Sequence, residues 1–225
     1  MNADATGRPL LVSDCDEVLL HMVAHFRDWL SDEHAIDFAL HEENWGEALV
    51  RRDTGAIVPG PEIWPYLDSF FDTEMRRQTL VPHALHALER IGAHADIVIL
   101  TNLGDYRQAP RVEQLRGHGI AHRVVCNQGG KGPALRALLD EFRPSAAVFV
   151  DDLAFQQQSV AEHCPEVWRL HMIAEPQVAV RRPRAPDSHA RIDDWREAAE
   201  WIEARFAEGP APLPAPALTE AERGA

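Results

Sequence analysis

Three short apolar runs, each stopping on residues suited to chemistry, restrict this fold more than any other feature. Leu10-Leu11-Val12-Ser13 gives way to Asp14-Cys15-Asp16, Ile97-Val98-Ile99-Leu100 to Thr101-Asn102, and Ala146-Ala147-Val148-Phe149-Val150 to Asp151-Asp152. Runs of this length and apolarity suit strands buried on both faces of a parallel sheet. Open α/β sheets bind ligands outside the carboxyl ends of their strands, which is where these polar residues fall. Buried carboxylates are costly unless paired or metal-bound. Asp14 and Asp16, spaced to share one face of an extended chain, therefore imply a cation or a catalytic task. Taken alone, such a pair could equally cap the next helix.

The rest of the chain fits the same architecture. Leu19, Met22, Val23, Phe26, Trp29 and Leu30 recur at helical spacing and predict a helix over about 18–31, and Ile63, Tyr66, Leu67, Phe70, Phe71 and Met75 predict another over about 62–77. Between them, 32–61 has no clear period. Pro82 opens a short helix that stops near Gly92. Beyond it, strands expected at 96–100, 122–126, 146–150 and 167–171 alternate with helices at 110–118, 133–142, 155–162 and 193–206. This alternation predicts a doubly wound, Rossmann-like α/β core with a parallel sheet. The stretch from the first acids to Thr101 is far longer than one crossover needs, so an insertion sits there. The Pro-, Ala- and Glu-rich stretch 209–225 is expected to be a disordered tail.

Composition narrows the partners. Among 225 residues, 36 acidic side chains face 22 basic ones, a net charge of −14 that disfavours nucleic acid and anionic membranes. Cys15, Cys126 and Cys164 are too few and scattered for a disulfide framework, which fits a reducing, cytoplasmic setting. No run is long enough to cross a membrane, and nothing indicates an oligomeric state. Twelve histidines invite a metal reading, but His83 and His86 lack an obvious third ligand. His21 and His25, and the pairs Arg51-Arg52 and Arg76-Arg77, are candidate substrate contacts for which solvated surface is the more ordinary role.

The order Asp14-x-Asp16, Thr101, Lys131 within Gly129-Gly130-Lys131-Gly132-Pro133, and Asp151-Asp152 resembles the four motifs of the haloacid dehalogenase superfamily, most of whose members are phosphatases. The resemblance implies a Mg²⁺-dependent phosphatase acting on a small phosphorylated metabolite. Asp14 would be the nucleophile, forming an aspartyl-phosphate, and Asp16 the general acid and base. Thr101, Asn102 and Lys131 would hold the phosphoryl group. Mg²⁺ would be bound by Asp14, Asp151 and the main-chain carbonyl of Asp16, with Asp152 in support. The implied organisation is a core of 8–18 and 81–208 with a small helical cap at 19–80. Two features depart from the pattern: Glu17 stands where glycine is common, and Gln156-Gln157-Gln158-Ser159 where many relatives carry an asparagine. Alternatives are a catalytically silent phosphate-binding module, a phosphotransferase, and a haloacid dehalogenase, which would have no use for Asp16.

Overall fold

Strict alternation along the strands sets the layers of this protein. In β1 (Leu10–Ser13), Leu10 and Val12 pack with one apolar cluster and Leu11 with another. The same parity runs through β4 (Asp96–Thr101), with Val98 and Leu100 opposed to Ile97 and Ile99, and through β6 (Ala147–Asp151), with Phe149 opposed to Val148 and Val150. Successive side chains of a strand point to opposite faces. Apolar residues at every position therefore require a cover on both sides.

The computed structural model describes residues 7–40 and 45–212. Its main sheet is parallel, in the order β5-β4-β1-β6-β7-β8, with β5 at Arg123–Cys126, β7 at Trp168–His171 and β8 at Ala190–Arg191. One face is covered by α6 (Gly132–Phe142) and α7 (Ala154–His163), the other by α4 (Ala84–Gly92) and α9 (Trp195–Glu208), with Leu115 of α5 (Gln108–Gly117) joining the latter core. The chain runs outward from β1 to β4 and β5, then resumes at β6 on the other side of β1. Order thus reverses at β1, and Asp14, Thr101 and Asp151 emerge there together.

The inserted segment builds a core of its own. Helix α1 (Val23–His34), β2 (Ile36–Phe38), α2 (Trp45–Ala48), β3 (Leu49–Arg51) and α3 (Gly60–Thr73) gather Phe26, Trp29, Phe38, Phe70 and Phe71 into one cluster. Ring centroids of Phe26 and Phe70 lie 5.5 Å apart at an edge-on angle of 70°, a favoured aromatic geometry. The short antiparallel pair of β2 and β3 lies in the stretch that showed no period, because three-residue strands are too brief to display alternation. Leu19 and Leu20, which the sequence places in the insertion, pack into the main core instead.

Several expected boundaries need correction. Helix α1 starts at Val23 and not near 18, because the chain first makes a tight turn. Glu17 has φ of 59°, and the amides of Leu19 and Leu20 both donate to the Cys15 carbonyl. The buried Glu17 carboxylate then accepts from the amides of Met22 (2.8 Å) and Val23 (2.6 Å), satisfying donors that a helix start leaves open. Helix α3 ends at Thr73, and Met75–Arg77 forms a separate 3₁₀ turn. The sequence reading missed β8 and the short α8 (Pro176–Ala179). The disordered tail is contradicted at its start: the Trp168 indole donates to the Gly209 carbonyl at 2.8 Å, and buried Ala211 donates to the Glu166 carbonyl. Positions 213–225 lie outside the described residues. No helix among those described is long and apolar enough to cross a membrane.

Candidate active site

Strand parity aims the acids. Asp14 continues the parity of Leu10 and Val12, and Asp151 that of Ala147 and Phe149, so both face the layer that begins with Lys131 at the head of α6. The Lys131 ammonium sits 2.7 Å from Asp14 Oδ1 and 2.6 Å from Asp151 Oδ2, with all three side chains buried. Burial pushes the Asp14 carboxyl up to about 7 even with the lysine beside it. Burial alone would depress Lys131, but Asp14 and Asp151 outweigh it and hold the ammonium above its ordinary range. An ammonium has three donors. Two are taken here, leaving one for a ligand.

Asp152 completes an acidic cluster. One carboxylate oxygen each from Asp14, Asp151 and Asp152 lie within 4.8 Å of one another, and burial with the nearby Asp151 raises Asp152 well above the carboxylate range. All-oxygen ligand sets suit hard divalent cations such as Mg²⁺. The donor set present therefore fits that metal. The side chain of Asp16 is not part of the cluster. The turn's backbone bonds use the Cys15 carbonyl and the Glu17 amide, which leaves the Asp16 carbonyl outside the turn's pairing among the described residues.

Asp14 and Asp16 do not act as one face. The strand ends at Ser13, the chain turns, and Asp16 meets a different cation: Arg111 of α5, fully buried, donates through one terminal nitrogen to both Asp16 oxygens at 3.0 Å. Gln78, from the end of the insertion, donates to Asp16 Oδ1 at 2.6 Å. Neither partner was read from the sequence. The available signal was an arginine one turn before Leu115 on the helix face that meets the core.

The Lys131 loop is braced by residues that first read as departures. Gln156 accepts from the Lys131 amide at 2.8 Å and donates to the Gly129 carbonyl at 3.1 Å, and Ser159 Oγ accepts from the Gly132 amide at 3.0 Å. The approach is close enough that a Cβ on Gly130 or Gly132 would run into Ser159, which explains the glycines around the lysine. Asn102, placed among the phosphate ligands by sequence, uses its side-chain amide here too: it donates to the Gly129 carbonyl and accepts from Asn127, both at 2.9 Å. Thr101 behaves differently. Its buried hydroxyl has no partner among the described residues.

Other candidates turn away. Arg51 bonds Glu62 and Tyr66, Arg52 bonds Asp37 and Ser31, and Arg76 and Arg77 pair with surface acids. His25 bonds Thr79. Most are ordinary exposed contacts; those of Arg51 with Tyr66 and of Arg77 with Glu74 are half-buried.

Arg107, just before α5, reaches across to the insertion. It donates to Asp72 Oδ1 at 2.7 Å and Asp68 Oδ1 at 2.9 Å, and the guanidinium carbons of Arg107 and Arg111 lie 5.9 and 5.7 Å from the Phe71 ring centre. Leu103, just past β4, joins the insertion's core. The insertion is thus seated on the rim of the acidic site.

No protein-family profile matches the chain, and no curated protein sequence does. Solved structures do. A haloacid dehalogenase-like family hydrolase from Xanthomonas campestris superposes with a TM-score of 0.54 at 18% identity, over 90% of this chain and 98% of that one. A haloacid dehalogenase-like family protein from Streptococcus pneumoniae gives 0.56 at 12%, over 86% and 97%. This chain has the haloacid dehalogenase-like fold. Within that fold, D,D-heptose 1,7-bisphosphate phosphatase from B. bronchiseptica, complexed with magnesium and phosphate, gives 0.53 at 11%, over 87% and 98%. These three chains match this one over 86, 87 and 90% of its length at 12, 11 and 18% identity.

Proposed function

We propose that the protein is a Mg²⁺-dependent phosphatase of small phosphorylated molecules that works through an aspartyl-phosphate on Asp14. One observation carries the reading: three carboxylates, those of buried Asp14 and Asp151 and half-buried Asp152, converge beside a buried lysine with a free donor and a buried threonine hydroxyl without a partner among the described residues. That is a pocket built for a cation and an anion together. The magnesium and phosphate held by the heptose bisphosphatase of the same fold support it.

Phosphate-monoester hydrolysis is among the slowest uncatalysed reactions, so the site must supply a nucleophile, charge neutralisation and a proton. Asp14 attacks phosphorus as the bond to the leaving oxygen breaks. Asp16 delivers a proton to that oxygen and later takes one from the water that releases phosphate from Asp14. Lys131 and Thr101 hold the transferred oxygens. Asp14, Asp151 and Asp152 would hold the Mg²⁺, with the Asp16 carbonyl available as a further ligand. The metal would neutralise charge between nucleophile and phosphate.

The insertion serves as the cap. It is seated through Arg107, Phe71 and Gln78, and a cavity of about 270 Å³ lies beside the acidic cluster, bordered by Asp152, Glu17 and Val23 and by residues 182–186, and lined by neither Asp14 nor Lys131. The test is a panel of phosphorylated sugars, nucleotides and small acids given to the wild type and to Asp14→Asn, with and without Mg²⁺. Metal-dependent phosphate release that vanishes in the variant supports the reading. Release that persists in it contradicts the mechanism.

A further inference from the structure

We propose that Arg111 is a positioning residue for proton transfer, fixing Asp16 so that Oδ2 is the oxygen that carries the proton, with Gln78 completing the clamp when the cap is closed. The proposal rests on the phosphatase reading, which gives Asp16 its role.

The starting observation is a guanidinium where packing alone would favour a hydrocarbon. Arg111 has no exposed surface, and its neighbours are Cys15, whose sulfur lies 3.2 Å from Nη1, and the face of Phe71. Desolvating a charge is costly, and an apolar residue of similar volume would avoid that cost. What Arg111 contributes in return is geometry at Asp16. Nη2 bonds both carboxylate oxygens at 3.0 Å, so the carboxylate cannot rotate without losing a bond.

Gln78 breaks the symmetry between the two oxygens. It donates to Oδ1 alone, at 2.6 Å. Gln114, one turn beyond Arg111, donates to Gln78 Oε1 at 3.3 Å, which orients the amide with its nitrogen toward Asp16. A carboxylate oxygen has two lone pairs. Oδ1 therefore has both occupied, and Oδ2 keeps one free. In the first step the Oδ2–H bond breaks as the leaving oxygen gains that proton, while the bond from Asp14 to phosphorus forms and the ester P–O bond breaks. In the second step the attacking water gives a proton back to Oδ2 as its oxygen bonds phosphorus and the Asp14–phosphorus link is cleaved.

The two clamping residues come from different parts of the molecule. Arg111 belongs to the core and Gln78 to the end of the insertion, so the oxygens become inequivalent only with the cap seated. This ties proton delivery to closure, in a way the acids alone would not.

The experiment compares an alkyl phosphate, whose departure needs a proton, with an aryl phosphate of low leaving-group pKa, in wild type, Arg111→Met, Asp16→Asn and the double variant, with Mg²⁺ supplied. Expected is a kcat loss on the order of 10²-fold for the alkyl ester in Arg111→Met, little change for the aryl ester, and KM unchanged for both. In the Asp16→Asn background the arginine substitution should cost nothing further, since it acts through that carboxylate. Equal losses on both esters, or losses that add in the double variant, would overturn the proposal and mark Arg111 as structural. If Arg111→Met does not fold, Gln78→Leu carries the same comparison from the other side of the carboxylate. A wild type inert on every ester and indistinguishable from Asp14→Asn would overturn the phosphatase reading and the proposal with it. A wild type active on both esters with a uniform arginine effect would overturn the proposal alone.

Discussion

Lys131 and Asp14 form a buried ion pair, Nζ to Oδ1 at 2.7 Å, that links the loop before α6 to the end of the central strand. The same ammonium reaches Asp151 at 2.6 Å. One cation thus offsets two carboxylates that would otherwise repel each other in a poorly solvated pocket. It keeps Asp14, the proposed nucleophile, compatible with a folded core.

Lys131→Met should consequently be severe. Removing one partner of a buried charge pair leaves the other uncompensated and costs about 3–5 kcal/mol. Urea unfolding of the metal-free protein at neutral pH checks this. A loss under 1 kcal/mol would indicate that solvent reaches the acids far better than their burial implies.

Binding Mg²⁺ should stabilise the native state by relieving repulsion among Asp14, Asp151 and Asp152. At a metal concentration a hundred times the dissociation constant, mass action adds about 2.7 kcal/mol. Thermal melts with added Mg²⁺ or chelator measure it, and Asp152→Asn should shrink the shift. A melting temperature that ignores the metal would contradict the assignment of the cluster.

Arg107 ties the insertion, the proposed cap, to the core through Asp68, Asp72 and the Phe71 ring. Its two carboxylate partners are half exposed or more, so Arg107→Ala should cost only about 1 kcal/mol of global stability. Its larger effect should be on closure: KM for small substrates rises more than kcat falls, and proteolysis between cap and core quickens. An unchanged KM would show that the latch does not hold the closed state.

Acid should weaken the far edge of the sheet. His189 Nδ1 accepts the Arg169 amide at 3.0 Å, which requires a neutral ring, and burial lowers its pKa to about 4. The unfolded chain takes up that proton near pH 6.5, before the native one does. The contribution of this ring is intact above that pH and is lost as pH falls toward 4. His189→Asn, whose Oδ1 can accept the same bond without titrating, should flatten this part of the stability profile. An identical acid slope in wild type and variant would refute the role.

The sheet was legible in the sequence because its strands are continuous apolar runs ending in polar residues. Every core strand from β1 to β7 falls within a residue or two of its expected place. The grouping of Asp14, Lys131 and Asp151 at one end follows from strand parity, which can be read from Leu10, Val12 and Phe149. The partners of Asp16 could not be read that way. Arg111 lies 95 residues from Asp16 and Gln78 lies 62, and no local pattern reports which arginine a fold will bury. The turn at Glu17 hid the true start of α1, since the apolar spacing of Leu19 and Met22 continues through residues that are not helical. β8, two residues long, is shorter than any periodic signal.

In the proposed mechanism Asp14 carries the phosphoryl group. Acid-quenching the enzyme during turnover of an aryl phosphate with Mg²⁺, followed by mass spectrometry of the peptide containing residues 10–20, tests it directly. A phosphoryl adduct on Asp14, absent from Asp14→Asn, is the expected result. Sustained turnover with Asp14 unmodified, or with the adduct on another residue, would contradict it.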